Sequence, residues 1–122
     1  MTRIIQKYTM VSTLSELQRT LANCKEHGPT ALDFETTSLA PREGRVRLVS
    51  LCNKRVQALV DFDAIGRDSF RKHARLFDGG EWVVFNVGFE GRWFMDGHAY
   101  PTLWDVGNMR RAILGGGSYR LA

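Results

Sequence analysis

Two acids one residue apart, Asp33 and Glu35, sit in the segment Ala31-Leu-Asp-Phe-Glu35, where they alternate with apolar side chains. Such a segment reads as a strand, and on a strand residues i and i+2 project from the same face. Asp33 and Glu35 then point together while Leu32 and Phe34 turn into a core. Paired carboxylates leaving an apolar strand repel each other and lose hydration, and a cation between them relieves both costs. Oxygen ligands and a doubled negative charge suit Mg²⁺ or Mn²⁺. The alternative is a strand end at which both acids simply reach water.

Other candidate chemistry is thinner. His27, His73 and His98 are scattered and match no zinc spacing. Gly115-Gly-Gly117 lacks the lysine of a phosphate loop, and no Gly-x-Ser-x-Gly elbow is present. Asp105, with Asn108 three residues on, reads as a helix N-cap. Arg42, Arg45 and Arg47 suit either phosphate contacts or a charged hairpin edge. Trp82, Trp93 and Trp104 lie among apolar neighbours and read as core.

The elements that must position Asp33 and Glu35 follow from periodicity. A first strand is expected over Ile4 to Tyr8. Thr13 with Glu16 has capping-box form, and Leu14, Leu17, Leu21 and Cys24 continue at helical spacing to a stop at His27-Gly-Pro29. Strands follow at Ala31 to Glu35, Val46 to Leu51 and Arg55 to Phe62, the last two joined across Asn53-Lys54. A short helix over Ser69 to Phe77, a strand at Trp82 to Phe85 and a helix with Phe89, Trp93 and Phe94 come next. A strand at Thr102 to Asp105, a helix at Asn108 to Leu114 and an N-cap at Ser118 complete the chain.

With 122 residues, 43% hydrophobic and 25% charged, the chain has the composition of one folded domain rather than a disordered segment. No run approaches the ~20 apolar residues of a membrane helix, and the first residues lack the apolar stretch of a secretory signal. Seventeen basic against thirteen acidic residues give a net charge of +4, which permits an anionic partner. Cys24 and Cys52 read as buried free thiols in a reducing, cytoplasmic compartment.

The stretch Asp33-Phe-Glu-Thr-Thr-Ser-Leu39 resembles the first motif of the DnaQ-like, or DEDD, 3′–5′ exonucleases. The likeness is closest to the proofreading domain of bacterial and phage DNA polymerase I, with ribonuclease D more distant. Val83-Val-Phe-Asn86-Val-Gly-Phe89-Glu90 resembles the second motif, a strand followed by Asn-x-x-(Phe/Tyr)-Asp. Pro41 to Leu51, Thr102 to Asp105 and Ser118 to Ala122 are similar to other family segments in the same order.

The resemblance implies an α/β, RNase H-like fold, with a three-strand meander, then alternating helices and strands, flanked by helices and without the family's last helices. It implies hydrolysis of phosphodiesters at single-stranded DNA 3′ ends with two Mg²⁺ or Mn²⁺ ions ~4 Å apart. Asp33, Glu35 and Glu90 would be the catalytic metal ligands. Thr36, Leu39, Asn86 and Phe89 would contact the terminal nucleotides, Leu39 by wedging against a base.

Two departures stand out. Glu90 occupies the place of an aspartate, one methylene longer, and the third motif, a Tyr or His four residues before an Asp on a later helix, is expected beyond residue 122. A different reading is therefore a degenerate exonuclease fold that binds nucleic acid or a protein partner. On that reading a second copy or a companion chain covers the side left open.

Overall fold

A computed structural model describes residues 7–114. Helix α1 (Leu14–Glu26) begins as its sequence dictates. Thr13 Oγ1 accepts the Glu16 amide at 3.2 Å and donates to the Glu16 carboxylate at 2.8 Å, so hydroxyl and acid brace each other. Leu17, Leu21 and Cys24 form its buried stripe. Gly28 then adopts φ +86°, a left-handed value that favours glycine and turns the chain into β2 (Thr30–Thr36).

Strand β2 alternates buried Thr30, Leu32 and Phe34 with exposed Ala31, Asp33 and Glu35. Antiparallel β3 (Val46–Cys52) and β4 (Gln57–Asp61) extend it into a meander. On its other side β5 (Glu81–Val84) and β6 (Thr102–Asp105) add in parallel. A short β1 (Thr9–Val11) lies parallel to β4 and completes the six-stranded order β1-β4-β3-β2-β5-β6. The expected α/β mixed sheet is the observed one, with β2 in its interior.

The helices pack on one face. Phe34 of β2 meets Phe70 of α3 (Ser69–His73) and Phe94 of α4 (Val87–Asp96), with ring centroids 5.1 and 5.2 Å apart. Phe77, in the 3₁₀ turn Ala74–Phe77, packs edge-on against Trp82 of β5 at 5.2 Å. Each such aromatic pair adds to the burial of large apolar rings. The opposite face, through Met10, Leu59, Ser50 and Asp33 in one row and Cys52, Ala31, Val83 and Trp104 in the next, has no described helix against it.

Several expectations shift. The first strand is Thr9–Val11, because pairing with Ala58 to Val60 selects the segment; residues 1–6 and the Ser118 cap lie outside the described residues. Phe62 leaves the strand and opens a short helix α2 (Phe62–Ile65), since Asp61 Oδ1 accepts the Ala64 amide at 3.0 Å. Cys24 is buried, but Cys52 is exposed because β3 turns it to the open face. Trp104 is not core: it stands 46% exposed on that same face.

Candidate active site

Strand order reverses between β2 and β5. From β2 the chain proceeds to β3 and β4 on one side, while β5 leads to β6 on the other. Crevices outside the carboxyl ends of strands at such a reversal are where open α/β sheets bind ligands. The only paired positions between β2 and β5 are Thr30 with Trp82 and Ala31 with Val83. Beyond them Asp33 and Glu35 continue along β2 while β5 turns into α4.

Of the three predicted acids the structure brings two near each other at this opening, Asp33 and Glu90, while Glu35 is not among the charges that act on Glu90. Asp33 and Glu35 are exposed and share one strand face. A register shift between Glu35 and Thr36, whose β3 partners are Leu48 and Val46, bends the strand just past Glu35. Glu90, on the first turns of α4, is 3% exposed, and its Oε2 has no hydrogen-bond partner. Burial first, and then the negative charges of Asp33 and Asp105, push its carboxyl up to about 7.

Asp105 behaves in the opposite sense. Burial opposes its charge, but amides of Val87, Asn108 and Gly107 outweigh that and hold its carboxyl below the usual range. Its N-cap role is as expected, with Oδ1 accepting the Asn108 amide at 2.9 Å at the start of α5 (Val106–Leu114). Its second oxygen accepts the Val87 amide at 2.9 Å. No spacing rule could have shown that bond, which joins residues eighteen apart.

The remaining predicted site residues each have contacts of their own. Asn86 caps α4, its Oδ1 accepting the Gly88 amide at 3.0 Å, so that side chain has a structural task. Phe89 is half-buried against the core and lies edge-on to Trp93. Thr36 donates to Ser38 O at 2.6 Å. Leu39 stands 80% exposed at the crest of the following loop.

That loop is braced rather than loose. Thr37 and Arg45 exchange two hydrogen bonds of 3.0 Å, and a Cβ at Gly44 would collide with Thr37 Oγ1. Arg71 ties Pro41 O, at 3.0 Å, to Asp96 of α4, at 2.6 Å. Arg45 grips Asp63 through two bonds of 2.9 and 3.0 Å, with Arg47 3.5 Å from the same carboxylate. These two arginines therefore serve an ion pair at the hairpin edge.

Among the described residues, no three His, Cys, Asp or Glu side chains are gathered closely enough to form a ready metal cage. The donor chemistry nevertheless fits a divalent cation. A buried carboxyl oxygen without a partner, whose ionisation burial and the charges of Asp33 and Asp105 oppose, is one that a bound cation would favour.

The fold is that of an α/β protein with a mixed six-stranded sheet, and the sequence assigns it further. Residues 8–122 match the 3′–5′ exonuclease family, and the chain belongs to it. No curated protein sequence gives a significant match.

Solved structures share the fold. The Nibbler EXO domain of Aedes aegypti has a TM-score of 0.67 at 13% identity, covering 91% of this chain and 58% of that one. Escherichia coli RNase D, an exoribonuclease, has a TM-score of 0.61 at 17% identity, covering 94% and 35%. Trypanosoma brucei RNase D in complex with RNA U12 has a TM-score of 0.68 at 22% identity, covering 87% and 39%. The chain thus spans less than two thirds of each of these structures. No helix among the described residues is long and apolar enough to cross a membrane.

Proposed function

We propose that this chain carries the metal-binding and strand-end-binding part of an exonuclease that shortens single-stranded DNA from its 3′ end. The observation that carries the proposal is the buried Glu90 carboxyl group, its Oε2 without a hydrogen-bond partner and within reach of the charge of Asp33, where the strand order reverses. Asp33, Glu35 and Glu90 would hold Mg²⁺ or Mn²⁺. When bound, such an ion supplies positive charge to the scissile phosphate and makes water a stronger nucleophile at neutral pH.

The chain's own residues do the rest. Glu90 is poised to give up its proton near neutrality when a cation offsets the neighbouring charges. Leu39, exposed on a braced loop, offers an apolar surface to an unstacked terminal base without reading sequence. Thr36 fixes the loop entrance through Ser38, and Asn86 and Phe89 keep the facing helix start in place.

Degradation of end-labelled single-stranded DNA and RNA, side by side with Mg²⁺ or Mn²⁺, tests this reading. Shortening from the 3′ end, faster on DNA and lost with Asp33→Ala, is the expected result. Equal activity in the parental and variant chains overturns it. Faster cleavage of RNA would instead align the substrate with the ribonuclease D structures.

The sheet face against which no described helix packs favours a second reading, a binding module that docks a second copy or a companion chain. Met10, Trp104 and, on α5, Met109 and Ile113 are all exposed apolar residues. Sedimentation across a concentration series distinguishes the two, since a monomer at every concentration with metal-dependent cleavage leaves the module reading without support.

A further inference from the structure

We infer that Asp105 is the positioning residue that fixes Glu90 in the site, by tying the starts of two helices to the end of one strand. The inference rests on the proposed role of Glu90. A helix begins with amides that have no partner inside it. In α4 the Gly88 amide takes Asn86 Oδ1 at 3.0 Å, while those of Phe89 and Glu90 take Asn86 O at 3.0 and 3.3 Å. The Val87 amide reaches outside the helix to Asp105 Oδ2 at 2.9 Å. The other oxygen of the same carboxylate holds the Asn108 amide of α5 at 2.9 Å.

Asp105 pairs with Val84, the last residue of β5, three positions before Val87. The turn from β5 into α4 is therefore clamped from the adjacent strand as well as by Asn86. Glu90 sits one turn further on, buried and without a hydrogen-bond partner at Oε2, and the hydrogen bonds its carboxyl group does receive come from the backbone of Asn86 and Glu90 at the same helix start. Its place depends on the backbone beneath it, and that backbone is held by Asp105. Productive geometry in such sites tolerates displacements of only about 0.5 Å.

The test is Mn²⁺ titration by calorimetry, with amide hydrogen exchange read at Val87 and Asn108. Asp105→Glu keeps the charge but moves both oxygens by a methylene, while Asp105→Asn keeps the shape and loses one acceptor. Each is expected to weaken Mn²⁺ binding about tenfold or more, and to speed exchange at Val87 or Asn108. Thr13→Ala, which removes the cap of α1 far from these acids, is the matched control and should leave Mn²⁺ binding unchanged.

Parental affinity in Asp105→Glu, with weakened binding only in Asp105→Asn, would overturn positioning and leave a role of charge alone. Equal weakening in Thr13→Ala would overturn it too, by reducing the effect to lost stability. Glu90→Gln separates the inference from its premise: undiminished Mn²⁺ binding there removes Glu90 from the site and the inference with it.

Discussion

The two faces of the central sheet do different work. One is closed by α1, α3 and α4 over Leu32, Phe34, Val49, Val60 and Trp82, all nearly inaccessible. The other carries Asp33, Glu35, Ser50, Cys52 and Trp104 and has no described helix against it. Stability resides in the first face and candidate chemistry at the end of the second. The difference shows why one strand can supply both: a period of two sends Phe34 to the core and its neighbours Asp33 and Glu35 to the opening.

This division can be broken most directly at Phe70, whose ring meets Phe34, Phe62, Phe77 and Phe94 on the closed face. Phe70→Ala is expected to lose about 3–5 kcal/mol of stability in urea unfolding. A loss below about 1 kcal/mol would mean that this face is not the main store of stability.

Glu90 crosses the division, being a buried acid at the edge of the closed face. Its carboxyl titrates near 4.5 in the unfolded chain and about 7 in the folded one. The unfolded chain therefore releases this proton first as pH rises. The stability of the metal-free chain falls between those values and levels off above them, by roughly 3 kcal/mol in all. Glu90→Gln should flatten that slope, and added Mn²⁺ should oppose it above neutrality; a slope unchanged in Glu90→Gln would refute the assignment. Chemical denaturation from pH 4 to pH 8 measures both.

Asp33→Ala sharpens the contrast, with an expected fall in cleavage of about a hundredfold, close to 2.7 kcal/mol in transition-state stabilisation. The folded chain should lose little stability, because removing this charge relieves Glu90. Smallest of all is Met10→Ser on the open face, expected within about 0.5 kcal/mol of the parental chain. A cost above about 1 kcal/mol would show that this face is covered in solution.

How much of this could be read in advance varies with the range of the interaction. Thr13 and Glu16 announce the start of α1 because their partners lie within one turn. Asp33 and Glu35 announce a shared face because strand geometry is local. The helix at Phe62 was hidden, since Val60-Asp61-Phe62 continues an apolar alternation and only the Asp61 cap redirects the chain. Cys52 and Trp104 looked like core residues because sequence reports polarity but not which sheet face receives helices.

The candidate site divides in the same manner. Its residue types and their order along the chain are legible in Asp33-Phe-Glu35 and Asn86 to Glu90, because each segment is a short run of neighbouring residues. Asn86 as the cap of α4, the orphaned oxygen of Glu90 and the double grip of Asp105 are not.

By itself, the sequence determined most of the elements, though not β1 or the helix at Phe62, together with the shared strand face of Asp33 and Glu35 and membership of the exonuclease family, all of which depend on neighbours along the chain. Only the tertiary structure decided that Glu90 is buried within reach of the charge of Asp33, that Asp105 serves two helices and that one sheet face has no described helix against it. Burial and electrostatic coupling are set by groups far apart in sequence, whose approach exists only once the strands have taken their order.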